Sequence, residues 1–147
     1  MLAKKVLSLL ESKEDVDVSD RNLTELKKHP QKIDGSFDCS QNKLKSLEGS
    51  PKEVGWDYNC YRNKLISLKG CPSKVGGNFD CSMNKLKSLK GSPEVVGGYF
   101  DCSNNLLNSL EGCPKKVKGS FFIPKNSKEF TEEEIREVCD VGGEVFV

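Results

Sequence analysis

Apolar and polar positions recur along this chain with a period of 21 residues, which is neither the period of a helix nor that of a strand. In each copy an aromatic residue and a cysteine two positions later are followed by an asparagine, two leucines, a glycine, a proline and a valine. The four strong copies begin at Phe37, Tyr58, Phe79 and Phe100. Self-similarity at a fixed spacing of this length predicts a solenoid, in which each repeat is one coil that buries its apolar stripe against its neighbours.

The spacing within a copy predicts which side chains face the core. The aromatic residue and the cysteine are two positions apart, so both would point inward from a short strand while the residue between them points outward. The asparagine follows at the turn, where its amide can satisfy buried backbone groups of neighbouring coils. The main inward columns are Phe37, Tyr58, Phe79, Phe100 and Phe121; Cys39, Cys60, Cys81 and Cys102; Asn42, Asn63, Asn84 and Asn105; and Leu44, Leu65, Leu86 and Leu107.

The second half of each copy predicts a tight return path. Gly-x-Pro and Gly-Gly are turn signals. Because 21 residues leave little room for a helix on the convex side, we expect extended or 3₁₀ structure there. A weaker copy upstream and a decaying copy downstream extend the predicted array to residues 16–130, or about five to six coils.

The two ends of the array predict caps, because a terminal coil would otherwise expose its core. Residues 1–15 begin with a short apolar run on one helical face, which favours a capping helix over a signal peptide. Thr131 and Glu134 form a capping box that starts a second helix. Residues 144–147 are expected to form a final strand, so that 131–147 is a helix–strand cap.

The segment aromatic-x-Cys-x-x-Asn-x-Leu-x-x-Leu resembles the leucine-rich repeat, whose core is L-x-L-x-x-N-x-L. Copies of the form FDCSxNKLxSLEGxPxxVGG are similar to short leucine-rich repeats in hypothetical proteins of tailed bacteriophages, over residues 16–120 or thereabouts. The resemblance implies a β-rich solenoid of short leucine-rich repeats. It also implies a viral origin, and with it a place in the host bacterial cytoplasm. It brings no catalytic residues with it.

Composition and motifs narrow the expected function. Lys plus Arg number 23 and Asp plus Glu number 22, so no overall charge favours nucleic acid or a membrane surface. The only histidine is His29 and the chain has no C-x-x-C motif, so we expect no metal site, no cofactor and no Ser-His-Asp catalysis. Four of the seven cysteines belong to the core column, which favours reduced thiols and an intracellular protein. Because solenoids mostly serve as binding surfaces and the chain has no catalytic motif, we do not expect an enzyme.

Outward positions are where partner specificity can lie, since the consensus residues are needed for folding. An acidic column between the aromatic residue and the cysteine either keeps the sheet soluble or offers an acidic stripe to a basic segment of a protein partner. Trp56, Tyr61 and Arg62 depart from the consensus and are residue types enriched in interface hot spots, although ordinary drift is the alternative. The candidate protein-binding residues are Asp38, Trp56, Asp57, Asn59, Tyr61, Arg62, Asp80, Met83, Tyr99 and Asp101.

Lysines gather at a separate set of positions that we call the lysine rim. It is either a solvated edge or an electrostatic footprint for nucleic acid, and the lack of interleaved aromatic residues weakens the second reading. The rim consists of Lys43, Lys45, Lys52, Lys64, Lys69, Lys74, Lys85, Lys87, Lys90, Lys115, Lys116 and Lys118.

The leading hypothesis from the sequence is a non-catalytic protein–protein interaction module that acts on a host bacterial protein. A structural protein that self-associates through the aromatic patch around Trp56 and Tyr61 is the second hypothesis. Nucleic-acid binding through the lysine rim is the third and is disfavoured by the near-neutral charge.

Overall fold

The computed structural model describes residues 11–147, which form a β-solenoid of two parallel seven-stranded sheets. Successive strands alternate between the sheets along the chain. The first sheet contains β1 (Glu11–Ser12), β3 (Lys32–Ile33), β5 (Glu53–Val54), β7 (Lys74–Val75), β9 (Val95–Val96), β11 (Lys116–Val117) and β13 (Asp140–Val141). The second contains β2 (Val16–Asp17), β4 (Phe37–Asp38), β6 (Tyr58–Asn59), β8 (Phe79–Asp80), β10 (Phe100–Asp101), β12 (Phe121–Phe122) and β14 (Val145–Phe146).

The strand register reproduces the sequence period and confirms the predicted solenoid. Tyr58 pairs with Phe79, and every coil up to β12 stacks on the next with this offset of 21 residues. Phe121 pairs instead with Val145, an offset of 24 residues, because the last coil accommodates the only helix among residues 11–147, α1 (Glu132–Val138). The return path is extended, as expected, and forms the first sheet.

The core is built from the inward columns that the repeat predicts. The rings of Phe37, Tyr58, Phe79 and Phe100 are fully buried and stack with centroids 5.4–5.5 Å apart and planes within 11° of parallel. Tyr58 is the one polar ring in this stack, and its hydroxyl lies 2.7 Å from the buried Oγ of Ser50. Each of these coils therefore packs a flat aromatic ring against the ring of the next coil, which fixes the coils in register.

The cysteine column lies beside the rings and is buried. The thiol of Cys60 donates to the carbonyl of Asp80 at 3.3 Å, and Cys81 and Cys102 repeat this contact with the following coil. Burial raises the pKa of Cys39 to about 12. These thiols are thus small core side chains with a weak donor, and all seven cysteines of the chain are free.

The predicted asparagine ladder is confirmed in detail. The Oδ1 of Asn84 accepts from the backbone N–H of Leu65 at 3.0 Å, while its Nδ2 donates to the carbonyls of Cys60 and Cys81 at 3.1 Å. The same three bonds recur at Asn42, Asn63, Asn105 and Asn126. Each asparagine therefore closes its own turn and ties it to the preceding coil.

The structure agrees with only one of the two cap predictions in the part of the chain that it describes. The helix expected over residues 1–15 falls largely on residues 1–10, which lie outside the described part of the chain. Glu11–Ser12 is strand β1, so that helix does not continue to residue 15. The C-terminal helix–strand cap is confirmed: the side chain of Thr131 accepts from the N–H of Glu134, and the Glu134 carboxylate accepts from the N–H of Thr131.

Replacing Asn84 with leucine is expected to lower the free energy of unfolding by about 2–4 kcal/mol. The substitution removes the acceptor for the Leu65 N–H and both donors to buried carbonyls, and leucine can satisfy none of them. Urea unfolding followed by circular dichroism measures the loss. The control is Asn108→Ala, at an exposed asparagine, and an equal effect of both substitutions would contradict the role given to the ladder.

Candidate protein-binding face

The outward side chains of the second sheet change character along the solenoid. The column runs Asp17, Asp38, Asn59, Asp80, Asp101, Phe122 and Phe146. At its C-terminal end the rings of Phe122 and Phe146 stack with centroids 4.6 Å apart, and Tyr99 meets Phe122 edge-on at 5.9 Å. We call this surface the outer face.

Sequence reasoning missed Phe122 and Phe146 as surface residues. Two adjacent aromatic residues, Phe121 and Phe122, did carry the signal, because neighbouring residues of a strand point to opposite sides. Phe121 is fully buried and Phe122 is half-buried, in agreement with that rule.

The acidic residues of the outer face have a structural role in the turn that follows each strand. The Oδ1 of Asp80 accepts from the backbone N–H of Ser82 at 2.9 Å and from its hydroxyl at 2.6 Å. Asp101 makes the same two bonds with Ser103, and Asn59 accepts from the N–H of Tyr61. This hydrogen bond favours Asp or Asn at this position of a coil. It therefore accounts for the acidic column without a binding partner.

A groove on the outer face brings five of the ten candidate residues together. It has a volume of about 190 Å³, and Asp38, Asp57, Asn59, Asp80 and Tyr99 are among its lining residues. The Oδ1 of Asp57 accepts from the N–H of Asn78 at 2.7 Å, so this side chain also links neighbouring coils. The hydrogen bonds found for Asp57 and Asp80 within residues 11–147 are made by Oδ1, so the second oxygen of each carboxylate can accept from a ligand.

The groove is electrostatically negative. Burial raises the pKa of Asp80, and the neighbouring carboxylates of Asp101 and Asp38 raise it further against the opposing hydrogen bonds from Ser82. Burial and the charges of Asp80, Asp57 and Asp101 likewise raise the pKa of the Tyr99 hydroxyl. Asp101 does not line the groove, yet its charge acts on both groups. A cation in the groove would relieve this repulsion.

Trp56 occupies a position that is glycine in both adjacent coils. In the following coils this position is glycine, and a Cβ added at Gly77 would lie 2.8 Å from the carbonyl carbon of Trp56. The inter-coil bond from the N–H of Trp56 to the carbonyl of Gly35 is 3.2 Å long, whereas the bonds at Gly77, Gly98, Gly119 and Gly143 are 2.7–2.9 Å. The indole is nevertheless 66% exposed. A bulky residue therefore occupies a tight backbone contact without contributing to the core.

The other three candidates, Tyr61, Arg62 and Met83, lie at the turn after the strand. Like Trp56, they do not line the groove. Arg62 and Met83 have φ of +53°, and every residue of their column has a positive φ. The sequence gives no sign of this, because the column contains no glycine. The residue type in this column varies from coil to coil, because each side chain extends into solvent from a turn residue in the left-handed conformation. Tyr61 is half-buried where other coils have serine.

The lysine rim is not one uniform basic edge. Lys69 and Lys90 lie 3.0 Å from the carboxylates of Glu48 and Glu111 on adjacent coils. Lys74, Lys115 and Lys116 are paired in the same way with Glu53, Glu94 and Asp140. Exposed pairs of this kind add little stability, but they neutralise this part of the rim.

Residues 11–147 contain no group of three or more His, Cys, Asp or Glu side chains placed to hold a metal ion. In the same range, no helix has the length and apolar character required to cross a bilayer. No protein-family model matches this chain, and no curated protein or solved structure gives a significant match.

Asp80→Asn is expected to raise the free energy of unfolding at pH 7 by up to about 1 kcal/mol. The folded-state pKa of Asp80 is raised, so the ionised form is disfavoured in the fold, while Asn keeps the acceptor for Ser82 as Asn59 does in the preceding coil. The advantage should disappear as the pH falls through the carboxyl pKa, because wild-type Asp80 is then protonated. Urea unfolding at pH 7 and pH 3 measures this difference, and a gain that is independent of pH would contradict the argument.

Proposed function

We propose that this protein is a non-catalytic protein-binding module and that the outer face, together with the neighbouring Trp56, is its docking surface. The main support for this proposal is the exposed position of Trp56. Its side chain is largely exposed in a column where the backbone of the preceding coil leaves room only for glycine. Exposed tryptophan is a frequent interface anchor, because its ring buries a large apolar area at a small entropic cost.

The groove supports a partner with a basic segment. Asp38, Asp57 and Asp80 line it together with Tyr99, so an ammonium or guanidinium group would meet carboxylate oxygens on one side and an aromatic ring on the other. Trp56 is adjacent to Asp57 in the chain and would provide the apolar contact beside this charged one. A bacterial host protein as the partner follows only from the resemblance to phage leucine-rich repeat proteins.

Trp56→Gly separates binding from folding. Glycine is the residue of this column in the following coils, so the free energy of unfolding should change by no more than about 1 kcal/mol. Immobilised wild-type protein is expected to retain a bacterial protein from lysate that the Trp56→Gly variant loses, and Asp57→Asn should weaken the same interaction. Mass spectrometry of the eluates identifies the retained protein.

The matched control for this experiment is Val138→Ala, which removes an exposed apolar side chain from α1. It should keep the partner. If Trp56→Gly and Val138→Ala retain the same proteins as the wild type, the outer face is not the docking surface.

Self-association is a second candidate function, favoured by apolar side chains at the C-terminal end of the solenoid. Phe146 is 41% exposed and Val147 is 57% exposed in the last coil. Copies joined through this end would bury both side chains.

Sedimentation velocity over a hundredfold range of protein concentration tests self-association. The wild type should form a larger species as concentration rises, and Phe146→Ser should remain monomeric because it removes the exposed ring. A wild type that stays monomeric throughout this range would rule the second candidate out.

A further inference from the structure

Five of the seven rim lysines that lack an ion pair lie together and, with Arg62, form a separate surface that we call the lysine patch. Lys52 and Lys118, the other two, lie outside it. The patch lies at and beyond the asparagine turn, on the segment that contains the two leucines of each coil. None of its cations has a carboxylate within ion-pairing distance among residues 11–147. The patch consists of Lys43, Lys45, Arg62, Lys64, Lys85 and Lys87, all of which are exposed.

Backbone hydrogen bonds hold the three coils of the patch in register. The N–H of Lys64 donates to the carbonyl of Leu44 and the N–H of Lys85 to that of Leu65, both at 2.9 Å. Neighbouring coils are therefore about 4.8 Å apart. Residues two positions apart within a coil are at most about 7 Å apart. The backbone positions that carry the six cations consequently lie within an area of about 10 by 14 Å.

No carboxylate relieves this concentration of charge from within the patch. Residues 41–46, 62–67 and 83–88 contain no Asp or Glu. Like charges at such spacing repel one another, so the cluster does not serve the stability of the fold. This contrasts with Lys69, Lys74, Lys90 and Lys115, each of which faces a glutamate of the adjacent coil.

An exposed isoleucine lies within the cationic cluster. Ile66 occupies the column of Lys45 and Lys87, between them, and is 66% exposed. Met83 and Leu106 border the patch and are 43% and 44% exposed. The surface thus offers an apolar contact surrounded by positive charge. A phosphodiester backbone would leave Ile66 without a partner, and the patch contains no aromatic ring on which a base could stack.

We propose that the lysine patch binds an extended acidic segment of a protein, one that places an apolar side chain on Ile66 and carboxylates on the surrounding lysines. The charge of the patch and its central apolar residue together define this chemistry. The patch differs in sign and position from the outer face, so this inference does not depend on the function proposed for Trp56 and the acidic groove.

Fluorescence anisotropy with three labelled probes tests the proposal on the intact protein. The probes are an all-glutamate nonapeptide, the same peptide with leucine at its centre, and an oligothymidylate of equal charge. The leucine peptide should bind about tenfold more tightly than the all-glutamate peptide, because it buries apolar area on Ile66. Both peptide affinities should fall as salt is added.

Ile66→Lys is the decisive variant, because lysine is the residue of the adjacent coils in this column and the fold should tolerate it. It should abolish the preference for the leucine peptide and retain binding of the all-glutamate peptide. Lys64→Glu should weaken both peptides at least tenfold. Lys118→Glu makes the same charge change at an exposed lysine outside the patch and should have little effect.

Several results would overturn the proposal. These are no binding of either peptide, no preference for the leucine peptide, and equal losses in Lys64→Glu and Lys118→Glu. Tighter binding of the oligothymidylate than of both peptides would assign the patch to nucleic acid instead. Failure of the Trp56→Gly experiment would leave these results unaffected, since the two experiments use different surfaces and different ligands.

Discussion

The asparagine of each coil makes the interaction on which the rest of the solenoid depends. A single side-chain amide accepts one backbone N–H of the preceding coil and donates to carbonyls of both coils, as Asn84 does with Leu65, Cys60 and Cys81. These groups lie in a buried turn between two strands of only two residues each, where no ladder of backbone bonds could satisfy them. The amide therefore fixes both the turn and the spacing of the coils, and the outward columns of charge and aromatic rings follow from that spacing.

Close stacking of identical coils makes departures from the repeat informative. A glycine column lets the backbones of adjacent coils approach, and Trp56 lengthens the bond to Gly35 where it enters that column. In the same coil as Trp56, Ile66 occupies a position that is lysine in both adjacent coils. Neither side chain adds to the core, and both are 66% exposed. One coil thus differs from the others on two surfaces of opposite charge, and this local divergence supports binding roles for both.

Several features of the two surfaces could not be predicted because they depend on contacts between coils. The acidic column was expected as a soluble edge or as a stripe for a basic partner, and its Oδ1 atoms prove to close the turn, as Asp80 does with Ser82. The positive φ of Arg62 and Met83 left no sign in a column without glycine. The ion pair between Lys69 and Glu48 joins residues 21 positions apart, so the sequence alone did not show which lysines of the rim are neutralised.

The period, the inward columns, the asparagine ladder and the C-terminal cap could all be predicted from the amino-acid sequence, because each follows from a local pattern. The groove shared by outward residues, the carboxylate partners of the lysines and the place of Phe122 and Phe146 at the end of the outer face became visible only in the folded solenoid. Outward side chains meet only after the coils stack, since their neighbours lie one full turn of the solenoid away.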